Sequence, residues 1–224
     1  HINPQSKTLK AGNKIFSYGH LFNTAGLYAD VVAKACGMKE RFTMIPFKGS
    51  YFELSNTSSI QINHLVYPVP DMNVPFLGIH FTKNTNNRVY VGPSAIPAFG
   101  RENYHGLAGA RLNESLATFA TLGRQYYSNQ QGFRTYTHRE VSRFIPKNFV
   151  AAAQALVPQL TFSDLKKSAK VGIRAQLFDQ KKRELVMDFL IKSSQNETHV
   201  LNAVSPGFTR ALSFSQYIVQ SFSK

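Results

Sequence analysis

The stretch THVLNAVSPGFTRALSFSQYIVQSF, residues 198–222, changes its period in the middle. Up to Val204 it reads as a short apolar strand. Beyond Ser205, Pro206 and Gly207, apolar side chains recur at helical spacing through Phe222. Ser205 is a good N-cap and Pro206 suits the first helical position, so a helix is predicted from there. Gly207 leaves the first turn bare, and outward-facing N–H groups backed by the helix dipole attract an anion or an electron-rich ring. A capped strand-to-helix turn that holds no ligand is the simpler alternative.

The same grammar appears near the start of the chain. KIFSYGHLFNTAGLYADVVAKACG, residues 14–37, predicts a strand ending near Asn23, a small-residue turn at Thr24, Ala25 and Gly26, and a helix over 27–36 stopped by Gly37. Between these two βα pieces lie strand-like runs at 42–54, 60–67, 76–82 and 88–91, punctuated by SNTSS, PVPDMNVP and KNTNN turns. Two or three helices are predicted between 113 and 157, ended by Pro158. Strands return at 170–178 and 184–191 around the charged turn DQKKRE. The first residues, HINPQSKTLKAGNK, read as polar and irregular, and the chain looks like a piece of something longer. The expected fold is a mixed α+β and α/β architecture: an antiparallel block inserted between two nucleotide-fold-like pieces, giving two domains that share a cleft.

Lys and Arg number 26 against 12 Asp and Glu among 224 residues, a formal charge of +14. Residues 124–183 hold twelve basic and three acidic side chains, net +9, interleaved with Tyr126, Tyr127, Phe133, Tyr136 and Phe144. Such a face binds single strands or an anionic membrane in some proteins and is merely solvated in most. No nucleic-acid signature accompanies it. Cys36 is the only cysteine, which removes an intrachain disulfide and favours a reducing compartment. No metal set is predicted. G-x-G-x-x-G, the P-loop and H-E-x-x-H are all absent, and no apolar run reaches the ~20 residues of a membrane span.

Seven blocks stand in a telling order: NTAGLYADVVAKACG, MIPFKGSYFEL, LVYPVPDMNVPFLGIHFT, RVYVGPSAIPAFGRENY, VGIRAQLFD, LVMDFLI and HVLNAVSPGFTRAL. Together they resemble the C-terminal half of FAD-dependent L-2-hydroxyglutarate dehydrogenases and oxidases, within the D-amino-acid-oxidase-like flavoproteins. The resemblance implies residues 1–37 and 170–224 in a Rossmann-like FAD-binding domain and 38–169 as the substrate domain. It also implies that the glycine-rich dinucleotide-binding unit precedes this chain, so that the chain alone is expected to be inactive. The implied reaction oxidises L-2-hydroxyglutarate, a small dicarboxylate, to 2-oxoglutarate, with oxygen or a membrane quinone taking the electrons. A related amino-acid or hydroxyacid oxidase is the alternative, because fold alone does not fix substrate. The implied setting is cytoplasmic, with peripheral contact on the inner membrane face and a homodimer as further expectations.

The resemblance also distributes roles. Arg174, in VGIRAQ, matches an arginine whose planar fork grips a substrate carboxylate; an ion pair with Asp179 or Asp188 is the structural alternative. His80, in LGIHFT, is the expected proton acceptor, against a satisfied core histidine. Tyr67 is placed to hydrogen-bond the second carboxylate or the hydroxyl. Lys48, Arg101 and Tyr104 are candidates for the distal anchor. Thr24, Ala25, Gly26, Asn202, Ser205, Pro206, Gly207 and Thr209 fall at the flavin. The family's usual NAPSPAAT is here NAVSPGFT, which puts bulky Phe208 beside that turn, and Lys170 stands where a small residue is usual.

Overall fold

A computed structural model of the chain describes residues 1–39, 41–69 and 78–222. Its backbone separates into two units, His1–Ile45 with Ala175–Lys224, and Pro46–Arg174. The secondary structure is mixed, with antiparallel sheets and five α-helices among the described residues.

In the first unit, β1 (Ile2–Asn3), β2 (Thr8–Ala11) and β3 (Lys14–Ser17) form an antiparallel meander. This corrects the expectation of an irregular start. Local turn chemistry makes it: Lys7 and Gly12 take the left-handed conformation (φ 50° and 58°), and Asn3 Oδ1 accepts the N–H groups of Gln5 and Ser6. A second sheet orders β11 (Leu190–Ser193), β12 (Glu197–Asn202) and β4 (Leu21–Asn23), with β12 and β4 parallel. After β4 a single 3₁₀ turn, Gly26–Tyr28, feeds α1 (Ala29–Ala35), and Gly37 at φ 84° ends it as the sequence predicts. Ala33 of α1 packs with Phe42, Met44, Leu177 and Leu201 in a buried core.

Two long strands, β5 (Phe42–Leu54) and β9 (Leu165–Asp179), run through both units. In the second unit β5 pairs with β7 (Val89–Gly92) and with β8 (Ile96–Pro97), and β7 pairs with β6 (His80–Lys83), all antiparallel. Helices α2 (Leu112–Ser128), α3 (Phe133–Ser142) and α4 (Pro146–Gln154) follow. Phe149, Val150 and Ala153 of α4 seal Ile79, Phe81, Val89 and Val91 from water. Each such large side chain contributes about 1.5–3 kcal/mol of transfer free energy.

Three expectations shift. The strand at 60–67 is not formed: among the described residues Val66 bridges Phe81, while Ile60 and Ile62 pack on the core and the Ile60 N–H donates to Ser58 Oγ. The run at 184–191 divides into β10 (Glu184–Leu185), on β9, and β11, on β12. Asn202 draws the chain between them away from pairing by donating to the carbonyls of Val186 and Asp188. Finally, α5 spans Ala211–Phe222, so Ser205 does not cap it. Gly207 and Thr209 are poor helix formers, and Ala211 is the first residue of an uninterrupted helical run. Residues 76 and 77 of the strand expected at 76–82 lie outside the described residues.

Candidate functional site

β5 begins one wall of a cavity of about 320 Å³ in the second unit, with Phe47, Lys48, Gly49 and Tyr51 lining it. Gly49 is required there, since a Cβ would sit 2.8 Å from Pro93 Cβ, across the cavity's rim. β9 adds Gly172, Ile173 and Arg174, the turn before β6 adds Gly78, and β6 itself adds His80. Thus His80, Arg174 and Lys48, separated by up to 126 positions in sequence, share one cavity. Tyr67 does not line it but lies against the His80 ring, centroids 5.1 Å apart, and is 46% exposed. Arg101 and Tyr104 do not line it either.

The protonation pattern of His80 follows from one contact. Its Nδ1 lies 2.9 Å from the Gly78 carbonyl, which can only accept, so Nδ1 carries the proton and Nε2 of the neutral ring holds a lone pair. Burial lowers the pKa below the ordinary histidine value; the Gly78 bond works against this, and the charges of Arg174 and Lys170 add to it. The ring is therefore neutral at pH 7 and basic at Nε2. Asp179, one of the two ion-pair alternatives for Arg174, holds Arg41 at 2.7 Å.

Several residues of this site carried no decisive signal in sequence. Lys170 sits over the rings of Tyr51 and Tyr90, 4.8 and 4.4 Å from their centroids, which gives the unusual lysine a cation–π seat. Glu140 lines the cavity from α3 and pairs with Arg143; burial raises its pKa, while Arg143, Arg139 and the Ala95 N–H hold it down. Asn103, wholly buried, fixes the loop from Phe99 to Arg111 and receives the Lys48 ammonium at 3.1 Å. In that loop Gly109 has φ 74°, and a Cβ there would lie 2.1 Å from the Glu102 carbonyl oxygen. Gly109→Ala is expected to cost at least ~2 kcal/mol through strain and clash, read as a lower urea midpoint at unchanged slope.

In the first unit the turn Thr24, Ala25, Gly26 and the segment Ser205, Pro206, Gly207, Thr209 are exposed. They follow the C-terminal ends of β4 and β12, which pair in parallel, and that is the edge where open α/β sheets bind ligands. Gly26 takes φ 54° with open space where a Cβ would be, so the residues present suit a flat ring laid over small side chains. Phe208 is 95% exposed at the same turn. Asn202 is different: buried, its amide is committed to the Val186 and Asp188 carbonyls, so it shapes the strand end. Asn23, which the sequence reading passed over, ties the first turn down. Its Oδ1 accepts from Ala25 N–H, and its Nδ2 donates to Ala29 O and His199 Nδ1.

That last bond decides a second cluster. Cys36, Glu197 and His199 bring potential metal-ligand atoms within 4.8 Å of one another, all buried. A ligating histidine donates its other ring N–H to an acceptor. Here Nδ1 meets the Asn23 amide donor, so Nε2 carries the proton, towards Glu197 Oε2 at 3.5 Å. Burial first, and Glu197 second, push the Cys36 thiol up to about 11. With protons on Cys36 and on His199 Nε2, the donors of the trio do not suit a cation. In the basic region, Arg134 and Arg139 cover the rings of Tyr126 and Tyr136 at 5.5 and 5.4 Å, which occupies faces a base would stack on.

One unit thus offers a cavity lined by Arg174, Lys48 and a neutral His80, and the other offers turns of small residues at a parallel sheet edge. The chain matches the family described as FAD dependent oxidoreductase (DAO) over residues 3–221, and it belongs to that family. FAD is the cofactor on which the family depends. Similar proteins include L-2-hydroxyglutarate dehydrogenases of Indibacter alkaliphilus (38% identity, covering 88% of this chain and 49% of that protein), Escherichia coli K12 (32%, 89% and 46%) and the mouse mitochondrion (31%, 90% and 44%). The chain therefore spans about half the length of these relatives. Among solved structures, dithionite-reduced L-alpha-glycerophosphate oxidase from Mycoplasma pneumoniae with FAD bound aligns at TM-score 0.55 and 16% identity, over 90% of this chain and 42% of that one. At that identity the likeness concerns the fold alone.

Proposed function

We propose that this chain carries the substrate site, and part of the flavin site, of an FAD-dependent enzyme that oxidises L-2-hydroxyglutarate to 2-oxoglutarate. The observation that carries the reading is the shared cavity of Arg174, Lys48 and His80, with the His80 lone pair at Nε2. The names of the relatives point to the same substrate. In this reading the inserted-domain arrangement also holds, with 1–37 and 170–224 on the flavin side and 38–169 on the substrate side.

Arg174 binds the carboxylate next to the reacting carbon, where a guanidinium fork meets two oxygens at once. That contact sets the 2-hydroxyl towards His80, whose Nε2 accepts its proton. Tyr67, packed on the imidazole face, keeps the ring from swinging away from the hydroxyl and offers its own hydroxyl to the substrate. FAD, when bound, supplies the acceptor for the hydride that leaves C2. Backbone groups of Thr24, Ala25 and Gly26 and of Ser205, Pro206, Gly207 and Thr209 would hold it, with Asn202 bracing the strand end. Oxygen or a quinone would be the final electron acceptor.

A substrate panel on the FAD-loaded enzyme tests the reading against its nearest alternative. L-2-Hydroxyglutarate is expected to be turned over in preference to its D-enantiomer, to monocarboxylic 2-hydroxy acids and to glycine, sarcosine or D-amino acids. Preferential oxidation of any amine would assign the cavity to an amino-acid oxidase instead.

A further inference from the structure

Lys48 and Arg174 line the cavity together with Glu140, which is paired with Arg143, and Lys170 stands near it. Lys170 is seated against two tyrosine rings, and Arg174 is close enough to His80 for its charge to act on the imidazole. Lys48 differs from both. It lies on β5 opposite Ile96 and lines the same cavity. Its Nζ donates to Asn103 Oδ1 at 3.1 Å, and among the described residues it forms no ion pair. Asn103 cannot turn away. Its Oδ1 also accepts Phe99 N–H (3.2 Å), and its Nδ2 donates to Gly106 O (2.8 Å) and Ala108 O (2.9 Å). The ammonium is thus pinned by a neutral partner, and among the described residues two of its three N–H donors have no hydrogen-bond partner.

We infer that Lys48, oriented by Asn103, is the anchor for the distal carboxylate and the residue that makes this a dicarboxylate site. This rests on the hydroxyacid reading above. A lysine suits the task because a compact ammonium on a flexible stem meets a terminal carboxylate without demanding the fixed geometry that Arg174 imposes at the reacting end. A ligand bound by Arg174 alone would have the right chemistry at the reacting end but no partner for a second carboxylate; Lys48 supplies one.

Calorimetric titration of the full chain, and of Lys48→Met and Lys48→Arg, with 2-oxoglutarate and with 2-oxovalerate tests this. The second compound keeps the 2-oxo acid end and the chain length but ends in a methyl group. The wild-type chain is expected to prefer 2-oxoglutarate by about 10- to 100-fold, the range for a charge-assisted hydrogen bond. Lys48→Met should erase that preference while leaving 2-oxovalerate binding unchanged, and Lys48→Arg should retain part of it. A preference that survives in Lys48→Met overturns the inference and leaves the reading standing. Loss of both compounds in Lys48→Met also overturns it, because the lysine would then be only a structural support. No preference in the wild-type chain overturns the dicarboxylate reading itself, and the inference with it.

Discussion

His80→Gln lowers kcat of the FAD-loaded enzyme on L-2-hydroxyglutarate by about 10²- to 10⁴-fold, the usual contribution of a positioned general base. Glutamine keeps the size and polarity of the side chain but has no basic nitrogen, so binding should change far less than turnover. The fold should be indifferent, because His80 is only partly buried and its one described hydrogen bond is to the nearby Gly78 carbonyl. The pH profile provides an independent sign. Burial lowers the His80 pKa, so the basic form persists further into acid than an ordinary histidine would allow. Activity should therefore be level through neutral pH, and the acid limb of kcat/KM should fall below pH ~6.5, the unperturbed value. The limb should vanish in His80→Gln. A limb centred above pH ~6.5, or one that survives the substitution, would assign the proton to another group.

Arg174→Met should act mainly through KM. Removing one partner of a close charge pair costs about 2–5 kcal/mol, which is ~30-fold to several thousand-fold in affinity. Arg174→Lys should recover only a small part of it, because a point charge cannot reproduce the bidentate fork. The alternative of a structural ion pair makes a different prediction. If Arg174 served stability alone, Arg174→Met would shift the urea midpoint and leave KM for the folded enzyme near its original value. Asp179, one of the two carboxylates considered as its ion-pair partner, holds Arg41.

The parts of this protein that could be read from sequence are those in which local chemistry is sufficient. β5 runs over Phe42–Leu54, the bounds its apolar run predicts, and the Asn23 to Gly37 unit has its strand, turn and helix in place. Both depend on periodicity and on glycines at defined positions. Tertiary contact overrode the local signal elsewhere. Residues 60–67 carry strand-forming side chains but find one bridge, because Ile60 and Ile62 spend themselves on the core beside α4. Residues 184–191 look like one strand until the buried amide of Asn202 pulls the middle out. Ser205 and Pro206 form a persuasive helix start, yet the helix waits until Ala211, past Gly207 and Thr209.

The site divides in the same way. Arg174 and His80 stand in apolar strands, where a charge and an imidazole are conspicuous. Lys48 was one candidate among three, since nothing in FKGSYF says that its ammonium meets Asn103, 55 positions away. Lys170 looked like a departure from the family, and the two tyrosines that seat it lie on β5 and β7, far off in the chain. Asn23 and Asn202 are both buried asparagines at strand ends. Only the fold shows that one ties down a turn and the other diverts a strand.

The most direct test of the central claim is anaerobic mixing of the FAD-loaded enzyme with L-2-hydroxyglutarate, followed through the visible flavin band. Bleaching matched by an equal amount of 2-oxoglutarate, with the D-enantiomer leaving the band intact, is the predicted result. A band unchanged by L-2-hydroxyglutarate but bleached by an amine substrate would contradict the account, and the cavity of Arg174, Lys48 and His80 would then belong to a different oxidation.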